Sequence, residues 1–309
     1  HLPELEEWLR SYKPEELFNE DGTPVEEAYV TLYGIEGTSG TVQIPESFDV
    51  TTKDSSGAEA VVENVSPVSI NIVPQSSGDA DLWGSSDVTG IDLTKCTRLE
   101  TLMIQSVPYI KDVDISDLSQ LKSLTLTGGS FSSLECEGCD ALESLTLSGS
   151  DAYGLFDFSN GSLEGIKDLS ISSCPDLTEF DGKQFPSLER LYLAITGLTT
   201  IDLSSCSKLE DVTLTSNADL KALDVDSIPS NVAKLYCAHN NIEDTEALAE
   251  RFGEGNVLPQ GVETTSTSQL NLLDERLANG SLLPNDTLTC NASGTFRPSG
   301  SVSGSWYQE

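Results

Sequence analysis

The chain has 309 residues and carries 51 acidic against 16 basic side chains, a formal net charge of −35. So acidic a surface repels phosphate backbones and excludes nucleic acid as a partner, while calcium, basic proteins and neutral glycans stay compatible with it. No apolar run approaches the ~20 residues of a membrane span, and the 37% hydrophobic content suffices for a sizeable, elongated core.

Residues 1–28 read as a helical segment: Leu2, Leu5, Trp8 and Leu9 keep helical spacing, and Pro14 opens a second turn. The start at His1, with neither Met nor a signal peptide, reads as a fragment or a mature form and leaves the compartment open. The words LPELEEWLRSYKPEELFNEDGTPVEE resemble a short non-catalytic stretch of bacterial phosphoketolases, which are thiamine-diphosphate enzymes. That resemblance stops near Glu27, no thiamine-diphosphate motif follows, and the chain has only His1 and His239. It carries no chemistry over.

Residues 29–87 have strand texture, in short runs at 29–33, 41–45, 48–51 and 68–72 bounded by Gly, Ser and Pro. They are expected to form a β-rich cap or small module over the edge of the first repeat, since a bare solenoid end would expose core residues. Segment 75–89 reads as a loop.

Residues 88–245 spell one frame seven times, L-x-x-L-x-L. It occurs at Leu99/Leu102/Ile104, Leu121/Leu124/Leu126, Leu142/Leu145/Leu147, Ile166/Leu169/Ile171, Leu188/Leu191/Leu193, Leu209/Val212/Leu214 and Val232/Leu235/Cys237. The openings fall 22, 21, 24, 22, 21 and 23 residues apart. The last two apolar residues of each frame sit two apart and so share one face of a short strand. One such unit cannot bury that face alone, so neighbours must stack. Three residues past each frame, at the turn, stand Val107, Gly129, Ser150, Cys174, Thr196, Asn217 and Asn240. A second signature, apolar–Asp–apolar, occurs at Ile91-Asp92-Leu93, Val113-Asp114-Ile115, Phe156-Asp157-Phe158, Ile201-Asp202-Leu203 and Leu223-Asp224-Val225. Its period of two predicts a second short strand with Asp facing water, leaving little room for a helix between.

Frame and period together resemble the leucine-rich repeat, and the helix-poor return looks like that of bacterial cell-surface members. Three of the seven turn positions carry the Asn or Cys usual there. The resemblance implies a strand-dominated α/β horseshoe, located extracellularly or at the cell surface. It also implies a non-enzymatic recognition role, binding a protein or glycan on the concave sheet as a monomer.

Seven cysteines leave at least one thiol without an intrachain partner. Cys96, Cys139 and Cys206 share one repeat slot with Leu118, Phe185 and Ile228, which predicts a ladder of buried thiols rather than bridges. Cys136 and Cys139 form a C-x-x-C without a second pair or a neighbouring His, and Cys136 falls in the slot of Leu93 and Leu203. The ladder again accounts for it. Residues 246–293 read as two helix-bearing cap repeats, LAERF…GNVLP echoed by LDERL…GSLLP, and 294–309 as a loose tail.

Mapped onto strands, one exposed column reads Met103, Thr125, Thr146, Ser170, Tyr192, Thr213, Tyr236 and its neighbour Thr101, Ser123, Ser144, Asp168, Arg190, Asp211, Lys234. An outer column alternates Glu100, Lys122, Glu143, Lys167, Glu189, a pattern that supports register. Against this bland surface stands a patch of Asp168, Arg190, Tyr192, Asp211, Lys234 and Tyr236, rich in the residue types of binding hot spots. It is the candidate binding site. No catalytic or metal-binding set and no cofactor is assigned. A hydrolytic triad would have only His239 as its base, Asp79-x-Asp81 and Asn19-x-Asp21-Gly22 are scraps of a calcium loop, and no phosphate loop occurs. The alternative is an enzyme, either a cryptic hydrolase or one with a phosphoketolase-related role.

Overall fold

The computed structural model describes residues 27–32, 39–53, 59–72, 87–107, 109–131, 133–149 and 164–261. The chain divides into two compact units, His1–Ser170 with Gln184–Leu188, and Ile171–Lys183 with Glu189–Glu309. Each is a run of leucine-rich-repeat-type turns, strand-dominated and poor in helix. The readings for residues 1–26, for Phe156-Asp157-Phe158, for the second cap repeat and for the tail lie outside the described residues.

In the first unit β1 (Glu27–Leu32), β4 (Glu59–Ile72), β6 (Thr101–Gln105), β8 (Ser123–Thr127) and β10 (Ser144–Ser148) stack in that order, every neighbouring pair parallel. Leu102 pairs with Leu124 and Leu124 with Leu145, so frame residues fall in register from turn to turn. The alternation in each frame decides which face is buried. Leu102, Ile104, Leu124, Leu126, Leu145 and Leu147 are sealed in the core, while the residues between them are half-exposed. A second parallel ladder joins β2 (Ser39–Gln43), β5 (Asp87–Asp92), β7 (Asp112–Asp114) and β9 (Ser133–Glu135). β11 (Asp168–Ser172) carries the chain across the boundary of the units.

The β-rich stretch before the frames supplies strands to both ladders. Ile70 and Ile72 pair with Leu102 and Ile104, and Val30 and Leu32 pair with Ile70 and Ile72. The frame therefore begins earlier than its letters show, with Pro67 in the opening slot and buried. The first half of β4 turns away into an antiparallel hairpin with β3 (Phe48–Lys53), on which Val61 is 59% exposed.

In the second unit β13 (Arg190–Ala194), β15 (Asp211–Thr215) and β16 (Lys234–Tyr236) form the parallel stack. β12 (Glu179–Asp181) and β14 (Thr200–Asp202) form its companion ladder. Leu223-Asp224-Val225 departs from the expected strand: a 3-10 turn, Val225–Ser227, begins there, with Asp224 capping it.

Between the two strands of each turn the chain descends a three-residue staircase rather than a helix. Cys96 N–H donates to Leu93 O at 2.8 Å and Leu99 N–H to Cys96 O at 2.9 Å. The same steps recur at Leu118/Leu121, Cys139/Leu142 and Cys206/Leu209. Every third residue points inward, so Leu118, Cys139, Phe185, Cys206 and Ile228 are buried in one slot. Three residues per step is the reason the repeat closes in so few residues.

Two local devices turn the chain at the ends of the strands. Two residues past every frame, at Ser106, Gly128, Gly149, Ser173, Ile195, Ser216 and His239, φ is positive. Only Gly takes that conformation without cost, and β-branched Ile195 takes it worst. At the other ladder the Asp of the second signature does more than face water. Oδ1 of Asp92 accepts from Thr94 N–H at 3.0 Å and from its hydroxyl at 2.6 Å, and Asp202 does the same with Ser204 at 2.9 and 2.6 Å. Asp114, Asp181 and Asp224 each accept from the N–H two residues on. These are Asx turns, in which the side chain imitates a backbone acceptor.

Residues 246–261 close the last turn of the second unit. α1 (Glu246–Phe252) and α2 (Glu254–Val257) are followed by an extended piece, and carbonyls of α2 and of that piece meet the chain just past β16. Asn256 O accepts from Cys237 N–H at 2.7 Å and Pro259 O from His239 N–H at 2.8 Å. Arg251 donates to the carbonyls of Val225 and Ile228, each at 3.1 Å, and of Pro229 at 2.8 Å.

Candidate functional site

The six residues singled out in the sequence divide between the units. Asp168 lies on β11 in the first, half-buried, with its N–H donated to Glu143 O at 3.0 Å. The other five share one sheet of the second unit. Arg190 pairs with Asp211 and Asp211 with Lys234, while Tyr192 pairs with Thr213 and Thr213 with Tyr236. Their side chains face outward because the alternate residues Leu191, Leu193, Val212, Leu214 and Leu235 are locked in the core.

Tyr192 is 41% exposed, which is unusual for so large a ring. Tyr236 is more sheltered and stands with its ring centroid 6.3 Å from that of His239, tilted at 43°. The turn conformation of His239 brings that imidazole up beside the tyrosine. Arg190 meets its chain neighbour Glu189 at 3.4 Å, and Lys234 meets Asp211 of the adjacent strand at 3.4 Å. These are exposed pairs worth ~0–1 kcal/mol each, so they orient side chains more than they stabilise the fold. In the first unit the outer column is paired as its alternation implies, Lys122 with Glu100 at 2.9 Å and Lys167 with Glu143 at 2.7 Å.

The floor of the second unit's face is held by buried asparagines. Oδ1 of Asn217 accepts from Thr196 N–H at 3.1 Å and from Thr196 Oγ1 at 2.8 Å, and its Nδ2 donates to Leu193 O at 3.0 Å. One turn on, Asn240 Oδ1 accepts from Asn217 N–H at 2.9 Å, and its Nδ2 donates to Leu214 O and Cys237 O, both at 2.8 Å. Each turn is thereby tied to the one before it. This is why Tyr192, Thr213 and Tyr236 stand in a fixed row.

Chemistry elsewhere is quiet. The six described cysteines are thiols. Burial pushes Cys96, Cys139 and Cys237 up to about 12 and Cys206 to about 11, so none is a ready thiolate nucleophile. Cys139 donates to Ile115 O at 3.1 Å and Cys206 to Gly182 O at 3.5 Å, both carbonyls of the preceding turn. The ladder is structural. Among the described residues no group of three or more His, Cys, Asp or Glu side chains could hold a metal ion. Partial burial raises the Asp92 carboxyl, but hydrogen bonds from Thr94 and Gln43 and the charge of Lys95 outweigh it and leave it below the usual range. The Ser204 hydroxyl and N–H hold the Asp202 carboxyl low in the same way. Both serve turns.

Sequence reasoning did not reach two features of the first unit: Tyr109, 45% exposed, and Asn71, whose Oδ1 is buried with no hydrogen-bond partner among the described residues. Tyr109 lies off the frame periodicity. Asn71 belongs to the leading turn whose frame the sequence disguises, though its pairing with Met103 extends the exposed column by one place.

No family profile matches the chain, and no curated protein does. A solved structure described as the functional domain of InlJ from Listeria monocytogenes, which includes a cysteine ladder, is similar at 16% identity with a TM-score of 0.44. The match covers 83% of this chain and 64% of that one, so this chain spans less than two thirds of that structure. A likeness at that level says nothing of ligand or activity.

Proposed function

We propose that this protein is a non-enzymatic recognition module that binds a protein or glycan through Arg190, Tyr192, Asp211, Lys234 and Tyr236 on the exposed sheet of its second unit. It acts as a monomer at the cell surface of a bacterium or outside it. The carrying observation is the row Tyr192–Thr213–Tyr236, a pair of aromatic side chains held in register on a rigid sheet with Tyr192 left 41% exposed. Aromatic side chains offer large area at low entropic cost, and charges around them fix orientation. The placement at the surface draws on the resemblance of the repeats to bacterial surface proteins, and no helix among the described residues is long and apolar enough to cross a membrane.

The test is retention of ligands from glycan and cell-surface protein arrays by the wild type and by the double variant Tyr192→Ala/Tyr236→Ala. The variant is expected to keep its melting temperature and lose retention. Unchanged retention would move the site elsewhere, and turnover of any substrate by the wild type would return the enzyme reading.

A further inference from the structure

We infer that the ligand of this face is a proline-rich segment of a partner protein in the polyproline II conformation, with a basic residue beside the prolines. The inference rests on recognition at the tyrosine row proposed above and names the chemistry of what is recognised.

Spacing is the first argument. Tyr192 and Tyr236 are two strand steps apart with Thr213 between them, and steps of ~4.7–4.9 Å place their two strands ~9.4–9.8 Å apart. A polyproline II helix has three residues per turn and a rise of ~3.1 Å, so positions i and i+3 recur on one side every ~9.3 Å. A peptide in β conformation instead repeats on one side every ~6.6–6.8 Å and would bring no second side chain to the second ring. Two prolines three apart match the row.

Hydrogen bonding is the second argument. A ligand along this row runs across the strands, whose main-chain groups are spent on the parallel ladder. It can gain no added-strand bonds and must bind through side-chain surfaces. A polyproline II segment suits that constraint, because it has no internal ladder to complete and is already ordered before binding. Its carbonyls project outward, toward hydroxyl donors such as those of Tyr192, Thr213 and Tyr236. Aromatic-lined sites elsewhere take proline-rich segments in this manner.

Charge is the third. Of the cations on this face, Arg190 has Glu189 and Lys234 has Asp211 as neighbours at 3.4 Å. Glu210, exposed immediately before β15 and three residues, ~10 Å of strand, from the Thr213 that stands between the two tyrosines, takes part in neither of these pairs. A neutral glycan would leave that carboxylate unanswered, whereas an arginine of the peptide would meet it with two parallel hydrogen bonds.

The experiment uses the intact chain and fluorescent synthetic peptides. One has prolines at i and i+3 with a flanking arginine, a second has the prolines at i and i+4, and a third has the arginine replaced by glutamine. The first is expected to bind at least about tenfold more tightly than the second. Tyr192→Ala should cut its affinity by about tenfold or more, and Tyr192→Phe, which keeps the ring and loses the hydroxyl donor, by less, both at unchanged melting temperature. Glu210→Gln should weaken the arginine peptide toward the glutamine peptide and leave the latter unaffected. Indifference to proline spacing, or equal binding by Glu210→Gln, would overturn the inference. Glycan retention dependent on Tyr192, with no peptide bound, would overturn it while leaving recognition at this face intact. Absence of any Tyr192-dependent ligand on peptide, protein or glycan arrays would overturn both.

Discussion

Asn217 touches two turns at once, through Thr196 and Leu193 on one and Asn240 on the next, and all four residues are buried. Asn217→Ala would strand Thr196 N–H, the Thr196 hydroxyl and Leu193 O without water, at ~1–3 kcal/mol for each group left unsatisfied. The expected outcome is a loss of at least ~3 kcal/mol in urea unfolding. A loss below ~1 kcal/mol would mean that the asparagine row does not tie the turns. Ile195 makes the opposite case. It sits at φ 55° in the slot that Ser, Gly and His fill elsewhere, a conformation costing a β-branched residue ~1–2 kcal/mol. Ile195→Gly should therefore leave stability unchanged within ~1 kcal/mol despite losing a half-buried side chain. Face assignment is tested one residue apart: Leu145→Asp buries an unpaired carboxylate and should abolish the thermal transition, while Thr146→Asp should be tolerated. Equal loss in both variants would refute the alternation.

At the scale of elements, the staircase explains why three cysteines stand in one slot: the thiol fills the place of an apolar side chain and donates to a carbonyl of the turn before it. Burial raises these thiols above their ordinary value of 9.0, which fixes the sign of a pH effect. Below pH 9 both folded and unfolded chains hold the proton and stability is flat. Above pH 9 the unfolded chain loses it and the folded chain does not until about 11 or 12, so stability falls by roughly 1.4 kcal/mol per pH unit for each such thiol. Melting temperature measured from pH 8 to 11 should decline, and less steeply in Cys206→Val. An identical slope in that variant would show that the thiol is not the titrating group. Most of this architecture was legible in the letters, since the seven frames declare strand, face and period, and the shared Cys slot declares a row of buried thiols; the three-residue staircase beneath it was not read. The leading turn was not, because Pro67 replaces the frame leucine and the gap to Leu99 is 32 residues, swollen by the hairpin. The turn-closing role of Asp92, Asp114 and Asp202 was hidden by reading only their alternation. The Thr or Ser two residues on in each case was the unread signal. At the candidate site the sequence placed six residues on adjacent strands, five of which share the sheet of the second unit, but the approach of His239 to Tyr236 depends on a backbone conformation that no letter announces.

For the whole molecule the net charge of −35, which already counts every Lys and Arg, is the dominant fact. Self-repulsion of that size weakens the compact state, and salt screens it over a Debye length of ~10 Å at 0.1 M. Melting temperature should rise as sodium chloride goes from ~0.01 to ~0.5 M. A fall would mean that the few opposite-charge pairs outweigh the repulsion.

Register from turn to turn also governs how this chain can change in length. Leu121 and Leu142 open successive turns, and removing the 21 residues from 121 to 141 would bring β6 and β10 side by side with leucine facing leucine and threonine facing methionine. Removing twenty would set every apolar side chain of the following strand against water. Length in this protein is quantised: it grows or shrinks by whole turns, and each turn gained or lost adds or deletes one rung of the exposed sheet while leaving the other rungs as they were.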